Sequence, residues 1–268
     1  MDLTTFEDWL RARGRSERTI QKYKYILNRL PENILLNPIK VNEYLIAQKY
    51  EPRNTYNFVS TLSTYYTFRG QSKLAKKLIK PKITGRNLNS VTLEMYYTAL
   101  ERSKDDPEMQ IILSLLMECG WRPSILTNSL VGWINLQDLK IYVPGDVEGN
   151  KAKEPFVSLI TPRTRDLLVD WIQSNKLKRT DYILQIKQKN KPEYIWIRLK
   201  KLAKKLGFES WLSAKMFRRG HASAMIDIAG IRSTQMGMGQ KKLESMNPYL
   251  VASDKTRRKG FKDVFDKD

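Results

Sequence analysis

The sequence is poor in the residues from which redox and metal chemistry are built: its 268 residues hold one cysteine, Cys119, and one histidine, His221. A lone thiol cannot close an internal disulfide, so cysteine usage gives no sign of an oxidising compartment. One His and one Cys cannot build a zinc site. Scattered acids such as Asp105 and Asp106 show no two-metal pattern, and no Walker glycine loop occurs. No metal or cofactor is therefore expected. Long apolar runs are missing too, none approaching the roughly 20 residues that span a bilayer. The opening segment, MDLTTFEDWLRARGR, carries acids early and has no signal-peptide hydrophobic stretch. Internal repeats and low-complexity tracts are also lacking. The expectation is a soluble, cytoplasmic chain with no membrane partner.

What is abundant is positive charge. Lys and Arg number 48 against 28 Asp and Glu, a formal net charge of +20 with a pI near 9.9. Such an excess repels itself in the compact state and is most easily tolerated when a polyanion is the working partner. A basic, highly soluble protein with no nucleic-acid role is the bland alternative. The basic residues are dispersed instead of gathered on one amphipathic segment, which argues against an anionic membrane surface. With 41% hydrophobic residues, the chain can bury a real core, in two ordinary domains or one large one.

Periodicity divides the chain. Apolar residues at helical spacing predict helices over Thr4–Arg13, from Ser16 to Leu30, over 38–50 and over Arg53–Phe68, with a short basic helix over Ser72–Ile79. Glycine and proline fall between these segments. Residues 1–83 hold 16 Lys and Arg and 7 Asp and Glu, and 16 − 7 gives +9. That looks like a DNA-clamping module, although a basic bundle of unrelated role fits the same pattern. Residues 80–91, KPKITGRNLNSV, lack periodicity and read as an interdomain linker or as an ordinary surface loop. The organisation expected is a helical unit at 1–83, a linker at 84–91 and a second domain at 92–268.

The second part reads as mixed α+β and mainly helical. Helices are expected over Thr92–Lys104 and Met109–Cys119, and strands over 131–143 and Phe156–Ile160. A polar turn with two lysines, GDVEGNKAKEP, lies between the strands. Thr161 caps a helix through Trp171 with Pro162 at its first position. A short strand or connector over Tyr182–Ile186 follows. Then come a strongly basic helix over Pro192–Leu206 and helices around 213–229 and 240–250. The basic helix, with Lys200, Lys201, Lys204 and Lys205, suits either a phosphate track or a solvated face.

Three separated stretches carry candidate chemistry. In ECGWRPSIL, Arg122 follows a hydrophobic helix and a Gly-Trp break; alone, such an arginine is usually a cap or an ion-pair member. In AKMFRRGHASAMIDIAG, Lys215 and Arg218 stand three apart near a helix start, where backbone N–H groups add to their charge on an anion. Locally a solvated basic patch explains them as well. In GMGQKKLESMNPYLVAS, Tyr249 lies ten residues past Gly239, and in isolation reads as a packing residue.

Taken in order and spacing, the three stretches resemble the tyrosine recombinase (phage-type integrase) signature, with a likeness to archaeal and viral members. A first box of Gly-Leu-Arg-x-x-Glu-Leu corresponds to Gly120-Trp121-Arg122-Pro123-Ser124-Ile125-Leu126. A second, His-x-Leu-Arg-His-Thr-Phe-Ala, corresponds to Lys215-Met216-Phe217-Arg218-Arg219-Gly220-His221-Ala222. A third, Leu-Gly-His with a Tyr ten residues past its Gly, corresponds to Met238-Gly239-Gln240 and Tyr249. The resemblance covers nearly the whole chain. It implies a multidomain fold: a small all-α, SAM-like core-binding domain that clamps DNA, and an α+β, mainly helical catalytic domain with a small antiparallel sheet.

The resemblance also implies roles. Arg122 and Arg218 would hold the non-bridging oxygens of the scissile phosphate, and Tyr249 would attack phosphorus to form a 3′-phosphotyrosyl link. Lys151 in the β-turn would protonate the leaving 5′-oxygen, with Lys153 as the alternative; Ser158 takes the usual Pro position of the closing strand. A phenol, ordinarily with a pKa of about 10, needs help to ionise near neutrality. Lys215 is the candidate assistant, on condition that burial or its arginine neighbours lower its pKa. Gln240 would hydrogen-bond a phosphate oxygen. The expected partners are double-stranded DNA and three further protomers in a homotetramer on DNA, from a monomer or weak oligomer when free. The tail 254–268, with its two Phe residues, would dock on a neighbouring protomer or fray.

Three departures stand out: Ile125 for the usual acid, Lys215 for histidine, and Gln240 for histidine or tryptophan. None removes the nucleophile or an arginine. His221 falls where the family has a buried aromatic and is expected to be structural. Two rival functions remain: a catalytically silent DNA-binding protein of the same fold, and a DNA-relaxing enzyme of the type IB topoisomerase kind.

Overall fold

In the computed structural model, residues 3–82, 89–186, 191–208, 212–241 and Met246 are described, and the chain divides into two units, Met1–Asn87 and Leu88–Asp268. The expected features at 83–88, at Tyr249 and in the tail 254–268 lie outside the described residues, as does most of the helix expected over 240–250. No described helix is long and apolar enough to cross a membrane.

The first unit is helical: α1 (Thr4–Ala12), α2 (Glu17–Asn28), α3 (Pro38–Ala47), α4 (Pro52–Phe68) and α5 (Ser72–Ala75). Capping follows the sequence. Ser16 accepts from the Thr19 N–H, and Asn37 accepts from those of Ile39 and Lys40 ahead of Pro38. Phe6, Leu10, Ile20, Leu27, Val41, Leu62 and Tyr66 form the core, each such side chain contributing about 1.5–3 kcal/mol by leaving water. The helix expected over 72–79 stops at Ala75. The Asn42 side chain explains this: its Nδ2 donates to Lys77 O (3.0 Å) and its Oδ1 accepts from the Ile79 N–H (3.0 Å). These bonds hold the turn that leaves the helix while Leu78 enters the core.

The second unit is built around α7 (Pro107–Glu118), flanked by α6 (Leu93–Glu101), α8 (Pro123–Thr127), α9 (Pro162–Ser174) and α11 (Ala214–Gly237). Every residue of α7 from Met109 to Met117 is buried, as a stretch without charge demands. Asp106 caps its start and Pro107 occupies the first position. α10 (Lys191–Lys205) packs on α8 and α11; its Lys200, Lys201, Lys204 and Lys205 are exposed.

The sheet is a three-stranded antiparallel meander, β1 (Ile134–Asn135), β2 (Lys140–Val143) and β3 (Phe156–Leu159), in the order β1-β2-β3. Ile141 pairs with Ser158 and Val143 with Phe156. The single strand-like run expected over 131–143 is instead a 3-10 turn at Val131–Trp133 followed by a hairpin. Asn135 makes the reversal, its Oδ1 accepting from the Asp138 N–H at 3.0 Å. Over 182–186 only one bridge forms, between Tyr182 and Leu130. α11 breaks at Gly230, whose φ of 79° and ψ of 164° lie where only glycine sits without strain. The helix expected at 213–229 thus ends there, and a second helical segment runs on to Gly237.

Candidate active site

The arginine of the first box is set by a forced turn. α7 ends at Glu118 with Cys119 as its cap, and Gly120 takes φ +60°; a Cβ there would stand 2.6 Å from Cδ2 of His221. Glycine is needed both for the left-handed backbone and for the ring that presses on it. Trp121 is fully buried, which anchors the chain on the next residue. Arg122 then adopts extended angles as the cap of α8, ahead of Pro123. Its half-buried guanidinium donates from Nη1 to Gly149 O at 3.1 Å.

Gly149 belongs to the loop 144–155 between β2 and β3, which carries both lysines. A side chain the sequence did not single out holds that loop. Asn150, 1% exposed, donates from Nδ2 to Pro144 O (3.0 Å) and Glu154 O (2.8 Å) and accepts at Oδ1 from the Ala152 N–H (3.2 Å). One amide thus ties the loop's two ends and its tip together. Lys151 and Lys153 are both exposed on this loop.

Arg218 comes from the second turn of α11, after the Ser213 cap. It is 6% exposed. Nη1 donates to Gly120 O, and Nη2 donates to Met238 O at 3.4 Å. A carbonyl fixes the plane of a guanidinium without neutralising its charge. The Met238 bond brings in the turn with Gly239 and Gln240, where the Gln240 N–H donates to Gln235 O (3.1 Å) and Gln235 Nε2 to Gln240 O (3.0 Å). Lys215, three residues before Arg218, is exposed, so of the two conditions for its role as a base, burial or arginine neighbours, burial is not met in this structure.

Arg122, Arg218, the loop of Lys151 and the turn of Gln240 therefore belong to one hydrogen-bonded frame, with Lys215 on the outer surface of α11. Tyr249 lies outside the described residues. His221 is structural in placement: buried, with Nδ1 on Met117 O at 2.9 Å. Burial, chiefly, and the Arg218 charge lower its pKa to about 4.

Two further supports escaped the sequence. Glu118 accepts from Tyr96 OH (3.1 Å), the Thr161 N–H (2.9 Å), Thr161 Oγ1 (3.1 Å) and Thr164 Oγ1 (2.7 Å), tying the end of α7 to the start of α9. Burial and this carboxylate hold the Tyr96 phenol well above its ordinary range. Trp121 Nε1 donates to Ser158 Oγ at 2.8 Å. Only the cap sequence Thr-Pro-x-Thr gave any local hint of these contacts.

An arrangement of two fixed guanidiniums with exposed lysines beside them suits a phosphodiester. Comparison with known proteins gives the family and the fold. The model of the phage integrase family matches residues 86–256. The protein named tyrosine recombinase XerA of Pyrococcus horikoshii is 25% identical, the match covering 96% of this chain and 90% of that protein. Its counterpart in Pyrococcus furiosus is 26% identical over 94% and 90%. Among solved structures, the Tn1549 transposon integrase in complex with transposon right end DNA superposes with a TM-score of 0.69 at 15% identity, covering 96% of this chain and 97% of that one. A lambda integrase dimer bound to a COC′ core site gives 0.71 at 14%, covering 92% and 93%. At such identities these structures speak for the shared fold, mostly helical with a small three-stranded antiparallel sheet.

Proposed function

The chain belongs to the phage integrase family, and we propose that it is a tyrosine recombinase that cuts and rejoins DNA strands at specific sites through a 3′-phosphotyrosyl intermediate. The observation that carries the reading is the bond from Arg218 to Gly120 O, two residues ahead of Arg122. It joins the two arginines that would grip one phosphate to a common backbone frame.

Arg122 and Arg218 bind the two non-bridging oxygens and stabilise the charge that builds on them in the transition state. Tyr249 attacks phosphorus; the P–O3′ side stays with the enzyme as a phosphotyrosine, and the bond to O5′ breaks. Lys151 delivers the proton to O5′, with Lys153 on the same loop as the alternative donor. Gln240 donates to a phosphate oxygen. DNA docking desolvates the exposed Lys215, which then assists loss of the phenol proton. A 5′-hydroxyl from the other duplex reverses the step and completes exchange. The bond energy is kept in the phosphotyrosine, so the reaction needs neither ATP nor metal.

Residues 1–83 act as the DNA-clamping, core-binding domain, 84–91 as the linker and 92–268 as the catalytic domain. Four protomers work on two duplexes. The +9 charge of residues 1–83 supports the clamp, since phosphate contacts supply most sequence-independent affinity.

The test uses nicked suicide duplexes from a pool selected for binding to the protein. A DNA adduct that survives denaturation, and is lost in Tyr249→Phe, is the expected result. Binding without any adduct would mark a silent DNA-binding protein. Supercoil relaxation without recombinant product would mark a topoisomerase.

A further inference from the structure

One buried hydroxyl sits where three segments of the proposed active site meet. Ser158, 1% exposed on β3, accepts from the indole N–H of Trp121 at 2.8 Å and donates its own proton to Gly237 O at 3.3 Å. Trp121, fully buried, is bonded directly to Arg122. β3 is the strand that leaves the loop of Lys151. Gly237 is the last residue of α11, two ahead of the turn at Gly239 and Gln240, and Met238 between them accepts from Arg218.

We propose that Trp121 and Ser158 form a positioning relay for strand cleavage, in which the indole and hydroxyl fix Arg122, the lysine loop and the Gln240 turn relative to one another. The inference rests on the recombinase reading for its effect on rate, and on geometry alone for its effect on the backbone. Neither side chain is placed to touch DNA. Their influence passes through the residues beside them.

The direction of each bond matters. An indole N–H only donates, so the hydroxyl must accept from Trp121 and its proton is left for the Gly237 carbonyl. The rotor of Ser158 is therefore held between a donor and an acceptor, with the buried Cys119 thiol as a further hydrogen-bond neighbour of the hydroxyl. A phenylalanine at 121 keeps a ring but offers no donor; an alanine at 158 strands a buried indole N–H, which costs more than the bond itself was worth. Catalytic groups must stay within about 1 Å of their productive places, and a slip of that size from a distant change costs roughly 100-fold.

Two readouts test the relay. The first needs no activity: backbone amide exchange at Met238, Gly239 and Gln240. Trp121→Phe and Ser158→Ala should each speed it by about 5-fold or more, the weight of one hydrogen bond, while Ser158→Thr, which keeps the hydroxyl, stays near the wild type. The second is single-turnover cleavage of suicide DNA. Ser158→Ala should lower the rate by about 10-fold or more with DNA affinity within twofold of wild type, and the double variant should lose less than the product of the single losses. Unchanged exchange at 238–240 in both single variants would overturn the relay whatever the enzyme does. Faster exchange with cleavage unaltered, or cleavage losses that multiply independently, would overturn its role in positioning. A wild type that forms no adduct would sink the recombinase reading, and with it the relay's part in catalysis; the exchange arm still decides the coupling.

Discussion

Arg218 donates to the carbonyl oxygen of Gly120 across 98 residues of sequence, so the second arginine of the proposed site is held by the turn that presents the first. The guanidinium is buried and planar, and its other arm reaches Met238. A lysine has a single ammonium point and cannot span both carbonyls while facing a phosphate. Arg218→Lys should therefore cut single-turnover cleavage by about 100-fold to 1,000-fold, the scale of a lost oxyanion donor. DNA affinity, set by many phosphate contacts, should change only a few-fold. Equal losses in binding and cleavage would show that Arg218 serves the DNA grip and not the transition state.

The turn itself is exposed to test at Gly120. Its φ is +60°, and a Cβ would press into the His221 ring. Gly120→Ala should destabilise the protein by about 3 kcal/mol, combining left-handed strain of about 1–2 kcal/mol with a clash against the buried His221 ring. Chemical denaturation measures it. A loss below about 1 kcal/mol would mean that the ring shifts freely.

His221 makes stability depend on pH. Its pKa is lowered to about 4 by burial first and by the Arg218 charge second, whereas an unfolded histidine titrates near 6.5. Between those values the unfolded chain binds the extra proton, so stability must fall as pH falls through that window and level off above it. The contribution is on the order of 3 kcal/mol. In His221→Phe the part of the slope between pH 4 and 6.5 should disappear from urea titrations. Carboxylates contribute their own slope at lower pH in both proteins. Identical slopes in the two across the window would assign the dependence elsewhere.

Which of these features the sequence makes legible depends on the range of the contact. The capped helices are written in local patterns of apolar period and cap residue, whereas Arg122 and Arg218 stand out only when the three stretches are taken together in their order and spacing. α5 is shorter than its local pattern predicts because Asn42 bonds the backbone of Lys77, 35 residues away in sequence, and no local propensity carries that information. Trp121 and Ser158 are 37 residues apart and look, singly, like an ordinary core residue and an ordinary strand residue. Asn150 reads as a turn former, which it is; that it makes three bonds across one loop is a property of the folded loop. Glu118 at the end of α7 gave no signal, since a helix-terminal acid is normally solvated.

The choice between the two loop lysines can be made by chemistry. Both are exposed on the loop 144–155. Lys151 directly follows the buried Asn150 and stands two residues from Gly149, whose carbonyl receives the Arg122 bond. Its backbone is thus tied to the guanidinium that would hold the phosphate, while Lys153 sits one step further round, at a left-handed φ of 59°. If Lys151 protonates the departing O5′, Lys151→Ala should slow cleavage by about 100-fold to 10,000-fold, the usual weight of a general acid. Replacing the bridging 5′-oxygen of the substrate by sulfur removes the need for a proton, because a thiolate leaves unaided. Lys151→Ala should then cleave the sulfur substrate at nearly the wild-type rate, and Lys153→Ala should cut both substrates at much the same fraction of wild type. Recovery by sulfur in Lys153→Ala alone would move the acid to that residue. Failure of sulfur to rescue either variant would place the acid outside this loop, leaving the lysines as phosphate contacts.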